Sequence, residues 1–447
     1  MDEQILYGTS VEKNGIPEVK APLVHFPGTC YGGGNGFGMD GKMLSKHLLL
    51  LGCSGCGKTN TFQFAMNQIL PNLGAEDIAI VFDTKGEFYE MFHRPGDYVL
   101  GNSVAFRSKS HVWNIFDEIL ADGWDEHCIT SNAREISAAL FHGRGSSTQP
   151  FFCNAAKDIF MAMLLHFIRC AKKEPDLWMP RLSNWDLRCA FASYKTKNYL
   201  DMFRAYPDLR YMETYIGTGE SNQALGVFAE LNNMLSEYFE GILAEKNPNR
   251  SISMREAVRC RGGRTIYIEY DLSVGEILTP VYRLLVDQAL KEALGRAGSD
   301  TKKKGYVYLF ADEFKLLPKL QHIDDALNFG RGLGVRVMAG IQSINQLYDI
   351  YGKEHGEVLA SGFGSIFGYH TNDTASRSFV SDLMGSNLVL YNYYNQFENK
   401  YKVEQRQGKT VEEWTQIQLG VGQAVVSLSD HPPFLYQFDE YRHGGIR

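Results

Sequence analysis

One stretch close to the start of the chain decides the fold: residues 47–59 read HLLLLGCSGCGKT. Four leucines form a continuous apolar run, and a glycine-rich loop follows them. After the loop, apolar residues recur at positions 62, 65, 66 and 69, which is the spacing of one face of a helix. The stretch therefore predicts a buried strand, a tight loop and a helix in direct succession.

The loop has the pattern G-x-x-x-x-G-K-T of a phosphate-binding loop. Glycine lets the backbone curl until successive N–H groups point at a phosphate, and the following helix presents the positive end of its dipole. Lys58 is expected to reach the β- and γ-phosphates of ATP, and the Thr59 hydroxyl to ligate Mg2+. The predicted nucleotide-binding residues are Gly52, Cys53, Ser54, Gly55, Cys56, Gly57, Lys58, Thr59 and Asn60.

A second motif supplies the groups that hydrolysis needs. Residues 306–313 read YVYLFADE, an apolar strand that ends in two adjacent carboxylates. For fast hydrolysis the metal needs a further carboxylate and the attacking water must be oriented. Asp312 is expected to hold the Mg2+ ion and Glu313 to polarise the water; an acidic pair on the surface is the alternative. Consecutive Asp and Glu indicate the ASCE branch of P-loop ATPases, which includes motors and translocases.

Two further polar residues are candidates for the same site. Gln342 follows the next apolar strand, where a polar side chain can touch the γ-phosphate and respond to its loss. Arg331 stands eleven residues earlier, at the predicted end of a helix. It can be an ordinary helix C-terminal cation. It can also project into the ATP site of a neighbouring subunit and stabilise developing charge as an arginine finger.

Apolar strands and helical segments alternate around these motifs. Residues 78–82 form a wholly apolar strand after the first helix, which completes a β-α-β unit. The alternation predicts a doubly wound α/β domain. Further strands are predicted at about 265–270, 306–311, 335–341 and 363–369, and helices near 277–296, 322–331, 343–351 and 373–384.

The middle of the chain differs, because from about residue 110 the apolar residues follow long helical patterns. We predict residues 1–109 as the first part of a nucleotide-binding domain, 110–255 as an inserted all-α domain and 256–447 as the second part. The insert lacks a phosphate loop, so we expect it to select substrate, with a plain packing role as the alternative. The basic turn DTKKKG at 300–305 is interpreted as a solvated loop, with a phosphate or nucleic-acid contact as the alternative.

The overall composition excludes several classes of protein. With 44% hydrophobic and 22% charged residues, the chain is of globular type. A formal net charge of -7 gives no global basic signature, so any contact with nucleic acid must come from local positive surface. No stretch approaches the roughly 18–20 apolar residues of a membrane span, and the N-terminus lacks a secretory pattern. Eight scattered cysteines are expected to be free thiols of a cytoplasmic protein.

Several segments together match one family of P-loop proteins. They are FDTKGEF at 82–88, FADEF at 310–314, residues 330–352, NDTA at 372–375, LMG at 383–385, PPF at 432–434 and, in the insert, WNIF at 113–116 and PFF at 150–152. Within 330–352, the pattern Q-S-x-x-Q-L-x-x-x-Y-G follows the Asp-Glu strand. With these segments the chain resembles the type IV coupling proteins, the TraD, TraG and TrwB relatives within the wider group of FtsK and HerA motors.

The resemblance implies a RecA-like ATPase domain that carries an all-α domain and assembles as a homo-hexameric ring. Such a ring moves DNA, single- or double-stranded, and in some members relaxase or effector proteins, toward the components of a type IV secretion or conjugation channel. By motif, Arg331 looks like the trans arginine finger and Gln342 like the γ-phosphate sensor. Asp83 and Lys85 match a family motif beside the nucleotide pocket, with a loop-stabilising salt bridge as the alternative.

The sequence departs from the family pattern in one respect: members usually begin with transmembrane helices, and none is expected here. We therefore expect a soluble fragment, a soluble member that relies on a membrane partner, or a relative with another task. We expect it in the cytoplasm, where it can lie at the cytoplasmic face of the inner membrane. Two other functions stay open: a HerA- or FtsK-like intracellular translocase acting on duplex DNA, and a nucleotide-gated adaptor that recruits proteins and turns over ATP slowly.

Overall fold

The computed structural model describes residues 2–13, 15–16, 18–144, 150–273, 275–295, 305–395 and 398–443. The chain forms two compact units. The first consists of Met1–Asp97, Gly262–Thr265 and Ala293–Arg447, and the second of Tyr98–Arg261 and Ile266–Glu292. Of the basic turn at 300–305, residues 300–304 lie outside the described residues.

Strands occur in both units. They are β1 (Asp2–Gly8), β2 (Val24–Cys30), β3 (Asn35–Met39), β4 (Leu48–Leu51), β5 (Ile78–Asp83), β6 (Tyr98–Leu100), β7 (Val112–Trp113), β8 (Ser251–Ile252), β9 (Arg264–Glu269), β10 (Val307–Ala311), β11 (Val335–Ile341), β12 (Ser365–Tyr369), β13 (Ser386–Asn395), β14 (Lys400–Lys409), β15 (Gln423–Ser427) and β16 (Phe434–Phe438).

The α-helices follow in the same way along the chain. They are α1 (Gly41–Leu44), α2 (Lys58–Ile69), α3 (Glu87–Phe92), α4 (Val104–Arg107), α5 (Ile115–Ile119), α6 (Glu126–Leu140), α7 (Pro150–Lys173), α8 (Pro175–Trp178), α9 (Asn184–Ser193), α10 (Thr196–Ala205), α11 (Glu213–Ile216), α12 (Asn222–Tyr238), α13 (Met254–Cys260), α14 (Gly275–Leu294), α15 (Ile323–Leu333), α16 (Asn345–Tyr351), α17 (Lys353–Ser361), α18 (Thr374–Leu383) and α19 (Glu413–Gln418).

Five parallel strands form the centre of the sheet in the first unit, in the order β12, β4, β11, β10 and β5. Every side chain of these five strands is buried, as expected of strands covered on both faces. The strands and helices predicted from the sequence in this region are present, so the predicted alternation is confirmed. Because β4, β11 and β10 are neighbours, the residues that follow their carboxyl ends meet at one edge of the sheet.

Four antiparallel strands extend this sheet beyond β12, in the order β15, β16, β2 and β3. Aromatic side chains hold the extension together: Phe37 packs edge-on against Phe434 and Tyr436, with ring centroids 5.3 and 4.8 Å apart. The sequence did not predict β2 and β3, because proline and glycine within them weaken any strand signal.

A second, antiparallel sheet of the first unit contains β1, β13 and β14, with β13 in the middle. β13 and β14 form a long hairpin that pairs from Ser386 with Lys409 to Asn395 with Lys400. Most side chains of β14 are exposed. The hairpin was not predicted, since a strand that is polar on both faces shows no apolar alternation.

The second unit is mainly helical, with α7 packed against α6 and α12. Stacked rings fill its interior, including the pair Phe160 and Phe191 at a centroid distance of 5.8 Å. Two parallel strand pairs also occur in it, β6 with β9 and β7 with β8. β7 and β8 are two residues long each and were not predicted, because two residues carry no periodicity.

Among the described residues, one helix, α7, is long and apolar enough to cross a membrane by length and composition. Of its most apolar 18-residue window, 67% is buried within the fold, as is usual for the central helix of a helical domain. α7 corrects the expectation that no stretch approaches the length of a membrane span.

The two compact units divide the chain at positions that differ from the sequence-based boundaries of 110 and 255. The second unit starts at Tyr98, continues to Arg261 and also includes Ile266–Glu292, which contains most of α14. Compactness does not by itself identify an inserted domain. The three-part domain division therefore stays a prediction.

Candidate nucleotide site

The glycine-rich loop lies between β4 and α2, at the carboxyl edge of the parallel strands. Gly55 and Gly57 have φ angles of 76° and 112°, a region that glycine adopts at low cost. A Cβ atom at Gly52 would lie 2.5 Å from the Cβ of Tyr369, whereas one at Gly55 would meet nothing within 4 Å. The loop is therefore tightly packed at Gly52 and open at Gly55.

Lys58 begins α2, and its side chain is folded back over the loop. Only 6% of the residue is exposed, and Nζ donates hydrogen bonds to the carbonyl oxygens of Gly52 at 2.7 Å and Cys53 at 3.0 Å. Burial raises the pKa of the neighbouring Cys56 thiol to about 11, and the charge of Lys58 opposes that rise only in part. Cys56 is therefore a neutral thiol at physiological pH, and Lys58 provides the positive charge of the loop.

Thr59 and Asp312 are joined directly. The Thr59 hydroxyl donates a hydrogen bond of 2.6 Å to Oδ2 of Asp312, while Oδ1 is buried without a hydrogen-bond partner among the described residues. Burial raises the pKa of Asp312, and the hydrogen bond from Thr59 and the charge of Lys58 oppose the rise only in part. A buried carboxylate with a free oxygen beside a hydroxyl fits a hard divalent cation such as Mg2+.

Glu313 is held from the neighbouring strand. Nε2 of Gln342 donates a hydrogen bond of 2.9 Å to Oε1 of Glu313, and Oε2 is buried with no hydrogen-bond partner in the described part of the chain. The backbone N–H of Gln342 in turn donates to Oε1 of Gln346 at 3.0 Å. The structure therefore brings the predicted water-polarising carboxylate and the predicted sensor into contact.

The close approach of β10 and β11 also depends on one glycine. A Cβ at Gly340 would lie 2.3 Å from the backbone oxygen of Asp312. Any larger residue at this position would displace the two carboxylates that follow β10. Gly340 was not identified from the sequence as part of the site, because its role depends on the register between two strands.

Arg331 lies apart from this group within its own chain. It occupies the last turn of α15, which ends at Leu333 and is capped by Gly334 with φ of 84°, and it is exposed. In the described part of the chain its guanidinium makes no hydrogen bond to the loop or to Glu313. Its roles as helix C-terminal cation and as finger for a neighbouring subunit both stay open.

The side chain of Asp83 binds backbone N–H groups at the start of α3. Its carboxylate accepts hydrogen bonds from the N–H groups of Lys85, Gly86 and Tyr89 at 3.2, 2.9 and 2.9 Å, so it caps the start of α3. Among the described residues no salt bridge joins it to Lys85. Lys85 is exposed, and its positive charge opposes part of the rise in the pKa of Asp312.

Asn60 connects the loop to the C-terminal part of the chain. Its Nδ2 donates to the backbone oxygen of Asp439 at 2.9 Å, and its Oδ1 accepts from the N–H of Tyr441 at 2.6 Å. Nearby, the N–H of Gly422 donates to the carbonyl of Cys56 at 2.9 Å. Asn60 therefore fixes a polypeptide segment that borders the loop. Nothing local in the sequence signals this contact, because the two partners are 379 and 381 residues away.

A metal site of the His, Cys, Asp and Glu type is absent from the described residues, since no group of three such side chains converges. The candidate Mg2+ position at Thr59 and Asp312 does not need one. Mg2+ usually keeps several waters and is held by one or two protein oxygens together with phosphates.

Comparison with known proteins gives a consistent picture. Residues 36–419 match the family described as the type IV secretion-system coupling protein DNA-binding domain. The chain is 23% identical to the coupling protein TraD of Escherichia coli (strain K12) over 312 residues, 69% of this chain and 39% of TraD. It is 23% identical to VirD4 of Agrobacterium fabrum (strain C58 / ATCC 33970) over 369 residues, 79% of this chain and 53% of VirD4. The chain thus spans about two fifths to half of these relatives.

Solved structures show the same fold. The bacterial conjugative coupling protein TrwBdeltaN70 in an unbound form matches with a TM-score of 0.73 and 20% identity, covering 98% of this chain and 94% of that one. TrwB in complex with ADP and Mg2+ matches with a TM-score of 0.70 and 20% identity, covering 99% and 96%. These matches confirm the predicted fold class, a P-loop α/β domain combined with a helical domain.

Proposed function

The chain belongs to the type IV secretion-system coupling proteins through their DNA-binding domain, and from this we propose that it is an ATP-hydrolysing motor that delivers DNA to a type IV secretion channel. The observation that carries the proposal is the contact of Thr59 with Asp312 and of Gln342 with Glu313 at the edge of one sheet. TrwB structures with ADP and Mg2+ and with a non-hydrolysable ATP analogue support ATP and Mg2+ as the ligands.

Each residue of the site has a defined task in this proposal. The loop N–H groups bind the phosphates, and Lys58 exchanges its two carbonyl contacts for phosphate oxygens. Thr59 and Asp312 would hold Mg2+, which when bound neutralises charge on the phosphates. The free Oε2 of Glu313 accepts a hydrogen bond from the attacking water and orients it toward the γ-phosphate, while Gln342 fixes Oε1.

The first experiment separates binding from hydrolysis in this site. Lys58→Ala should lose both nucleotide affinity and turnover, because the charge that reaches the phosphates is removed. Glu313→Gln should bind nucleotide normally and lose turnover, because only the water-orienting carboxylate is removed. Equilibrium titration with a fluorescent ATP analogue and phosphate release measure the two properties, and an active Glu313→Gln protein would contradict the assigned role.

The same phosphate-release assay, with and without single-stranded DNA, tests the motor itself. A motor should accelerate on DNA, whereas an adaptor that recruits relaxase or effector proteins should turn over slowly at a rate that DNA does not change. Stronger stimulation of ATP hydrolysis by duplex than by single-stranded DNA would indicate an intracellular translocase of the HerA or FtsK type.

We further propose that the protein works at the cytoplasmic face of the inner membrane with secretion components, and that the insert at 110–255 selects the substrate.

We also propose that Arg331 acts in trans within a homo-hexameric ring, in agreement with its exposed position. A Glu313→Gln subunit keeps an intact finger, and an Arg331→Ala subunit keeps an intact water-orienting carboxylate. Mixing the two inactive proteins should therefore recover part of the activity, because some interfaces combine both intact groups. Co-assembly shown by cross-linking without recovery of activity would argue against a finger supplied by the neighbour.

A further inference from the structure

The sheet of β1, β13 and β14, which we call the outer sheet, has an unusual surface, and none of its residues belongs to the nucleotide site. Its hairpin strands are ten residues long, or roughly 33 Å at about 3.3 Å per residue. β14 is an edge strand, and most of its side chains on both faces are exposed. Long exposed edges carry a risk of aggregation, so proteins shorten them, cover them or place charged residues, often Lys, on them. The edge of β14 is long and open, and it is therefore accessible to a ligand.

Aromatic rings are exposed near the tip of this hairpin. Tyr394 and Tyr401 are directly opposite each other, with ring centroids 5.2 Å apart, and they are 46% and 80% exposed. On the opposite face Tyr393 is paired with Lys402. Exposed tyrosines that pack on little else cost the fold some hydrophobic free energy, whereas they offer flat surfaces on which an unpaired base can stack.

β14 is also strongly basic. Four of its ten residues are Lys or Arg and one is Glu, compared with 45 Lys and Arg among 447 residues in the whole chain. Lys400 and Lys402 pair with Glu398, and Lys409 with Asp382. These pairs are on the surface, where ion pairs contribute about 0–1 kcal/mol. A polyanion can therefore displace the acids at little cost.

The base of the hairpin is fixed to the part of the fold that follows the nucleotide site. The Ser381 hydroxyl in α18 donates to the carbonyl of Val411 at 2.6 Å, just after β14. At the other end of α18, the cap Asp373 accepts a hydrogen bond of 2.7 Å from Ser343, the residue after Gln342. One helix therefore joins the hairpin to the predicted γ-phosphate sensor.

We propose that the outer sheet is a binding surface for single-stranded DNA, whose phosphates lie along the edge of β14 within reach of the long cationic side chains of one face, and whose bases stack on Tyr394 and Tyr401 on the other face. The proposal rests on the proposed function and adds to it the residues that contact DNA. Charge complementarity selects a polyanion as the occupant. The exposed rings select single strands over duplex, because bases inside a duplex present no free face for stacking.

The test is fluorescence anisotropy of a fluorescein-labelled oligothymidylate of about 20 nucleotides, titrated with nucleotide-free protein at several salt concentrations. Removing either ring, with Tyr394→Ala or Tyr401→Ala, should weaken binding about fivefold or more and leave the salt dependence unchanged. The double variant Lys402→Gln/Arg406→Gln should instead reduce the slope of log affinity against log salt by about 1.4, since each lost phosphate contact contributes about 0.7. A duplex of the same length should bind at least about tenfold more weakly than the single strand.

Matched controls show whether these effects are local. Tyr31→Ala removes a ring that is 57% exposed elsewhere in the first unit, and Lys42→Gln/Lys353→Gln removes two exposed charges; both should bind the oligonucleotide like the parent protein. Tyr401→Phe keeps the ring, so it should also bind normally, which shows that a loss in Tyr401→Ala comes from the ring and not from the hydroxyl group. Parent-like binding by the ring and charge variants of the hairpin would overturn the proposal.

Two other outcomes would also overturn it. In the first, the hairpin variants bind the oligonucleotide normally but no longer bind an acidic peptide. In the second, the hairpin variants bind the oligonucleotide normally, and sedimentation shows that only their self-association differs from that of the parent protein. Phosphate release without DNA tests the motor independently. If the protein does not hydrolyse ATP but its oligonucleotide binding depends on the hairpin, the proposed motor function is refuted and the proposed DNA-binding surface is supported. If the protein hydrolyses ATP but the hairpin variants bind the oligonucleotide normally, the proposed DNA-binding surface is refuted and the motor function is not.

Discussion

Replacing Gln342 with leucine tests the most specific contact in the site. The change keeps a side chain of similar size but removes the amide that donates at 2.9 Å to Oε1 of Glu313. A hydrogen bond to a charged group contributes about 1.5–3 kcal/mol, and about 1.4 kcal/mol corresponds to a factor of ten in rate. If the bond acts on the position of Glu313 during hydrolysis, kcat should fall about 10- to 150-fold.

The assay is steady-state phosphate release at saturating ATP, together with equilibrium titration of a nucleotide analogue. Nucleotide affinity should change by less than about threefold, because the loop, Lys58 and the Thr59 contact are untouched. Gln342→Glu is the matched variant: it replaces the donating amide by a second carboxylate beside Glu313, and repulsion between the like charges should lower kcat at least as much as Gln342→Leu does. An unchanged kcat in Gln342→Leu, or equal losses of affinity and rate, would refute this reasoning.

Two further predictions concern stability. Burial raises the folded-state pKa of Asp312, so the charged carboxylate destabilises the nucleotide-free fold at a pH above that pKa. Asp312→Asn should therefore raise Tm at neutral pH. This gain in Tm should vanish as the pH falls below the ordinary carboxyl pKa, where the carboxyl group is neutral in both the folded and the unfolded state. Glu118 in the second unit is fully buried and accepts hydrogen bonds from Trp113 Nε1 and the N–H groups of Met254 and Arg255 at 3.0, 2.7 and 2.9 Å. Glu118→Ala leaves three donors unpaired and should lower the free energy of unfolding by about 3–5 kcal/mol in a urea titration.

The central site could be predicted from the sequence because its parts are local. A phosphate loop needs a short run of glycines between a strand and a helix, and each residue acts within a few positions of its neighbours. The same holds for Asp312 and Glu313, which follow an apolar strand directly. Since parallel strands place their carboxyl ends at one edge, the meeting of these two motifs follows from the β-α-β pattern alone.

The contacts that complete the site could not be predicted in this way. Asn60 was assigned to nucleotide binding by its position after Thr59, yet its side chain is bonded to Asp439 and Tyr441. The hydrogen bond from Gln342 to Glu313 depends on the register of β10 against β11, and the need for glycine at position 340 has the same origin. Register and chain reversal over hundreds of residues leave no trace in local spacing.

Net charge is the property of the sequence that misleads most easily about DNA. A formal charge of -7 over 447 residues is compatible with nucleic-acid binding only if positive groups are concentrated, because phosphates respond to charge within about 10 Å at ordinary salt. In β14 the positive groups are concentrated, with four cations and one acid on ten residues. The excess of acids lies outside β14, so an average over the whole sequence hides the positive charge of this strand. If DNA binds at the outer sheet, its affinity should follow the charge of β14, and mutations that change the net charge equally at Lys42 and Lys353 should have little effect.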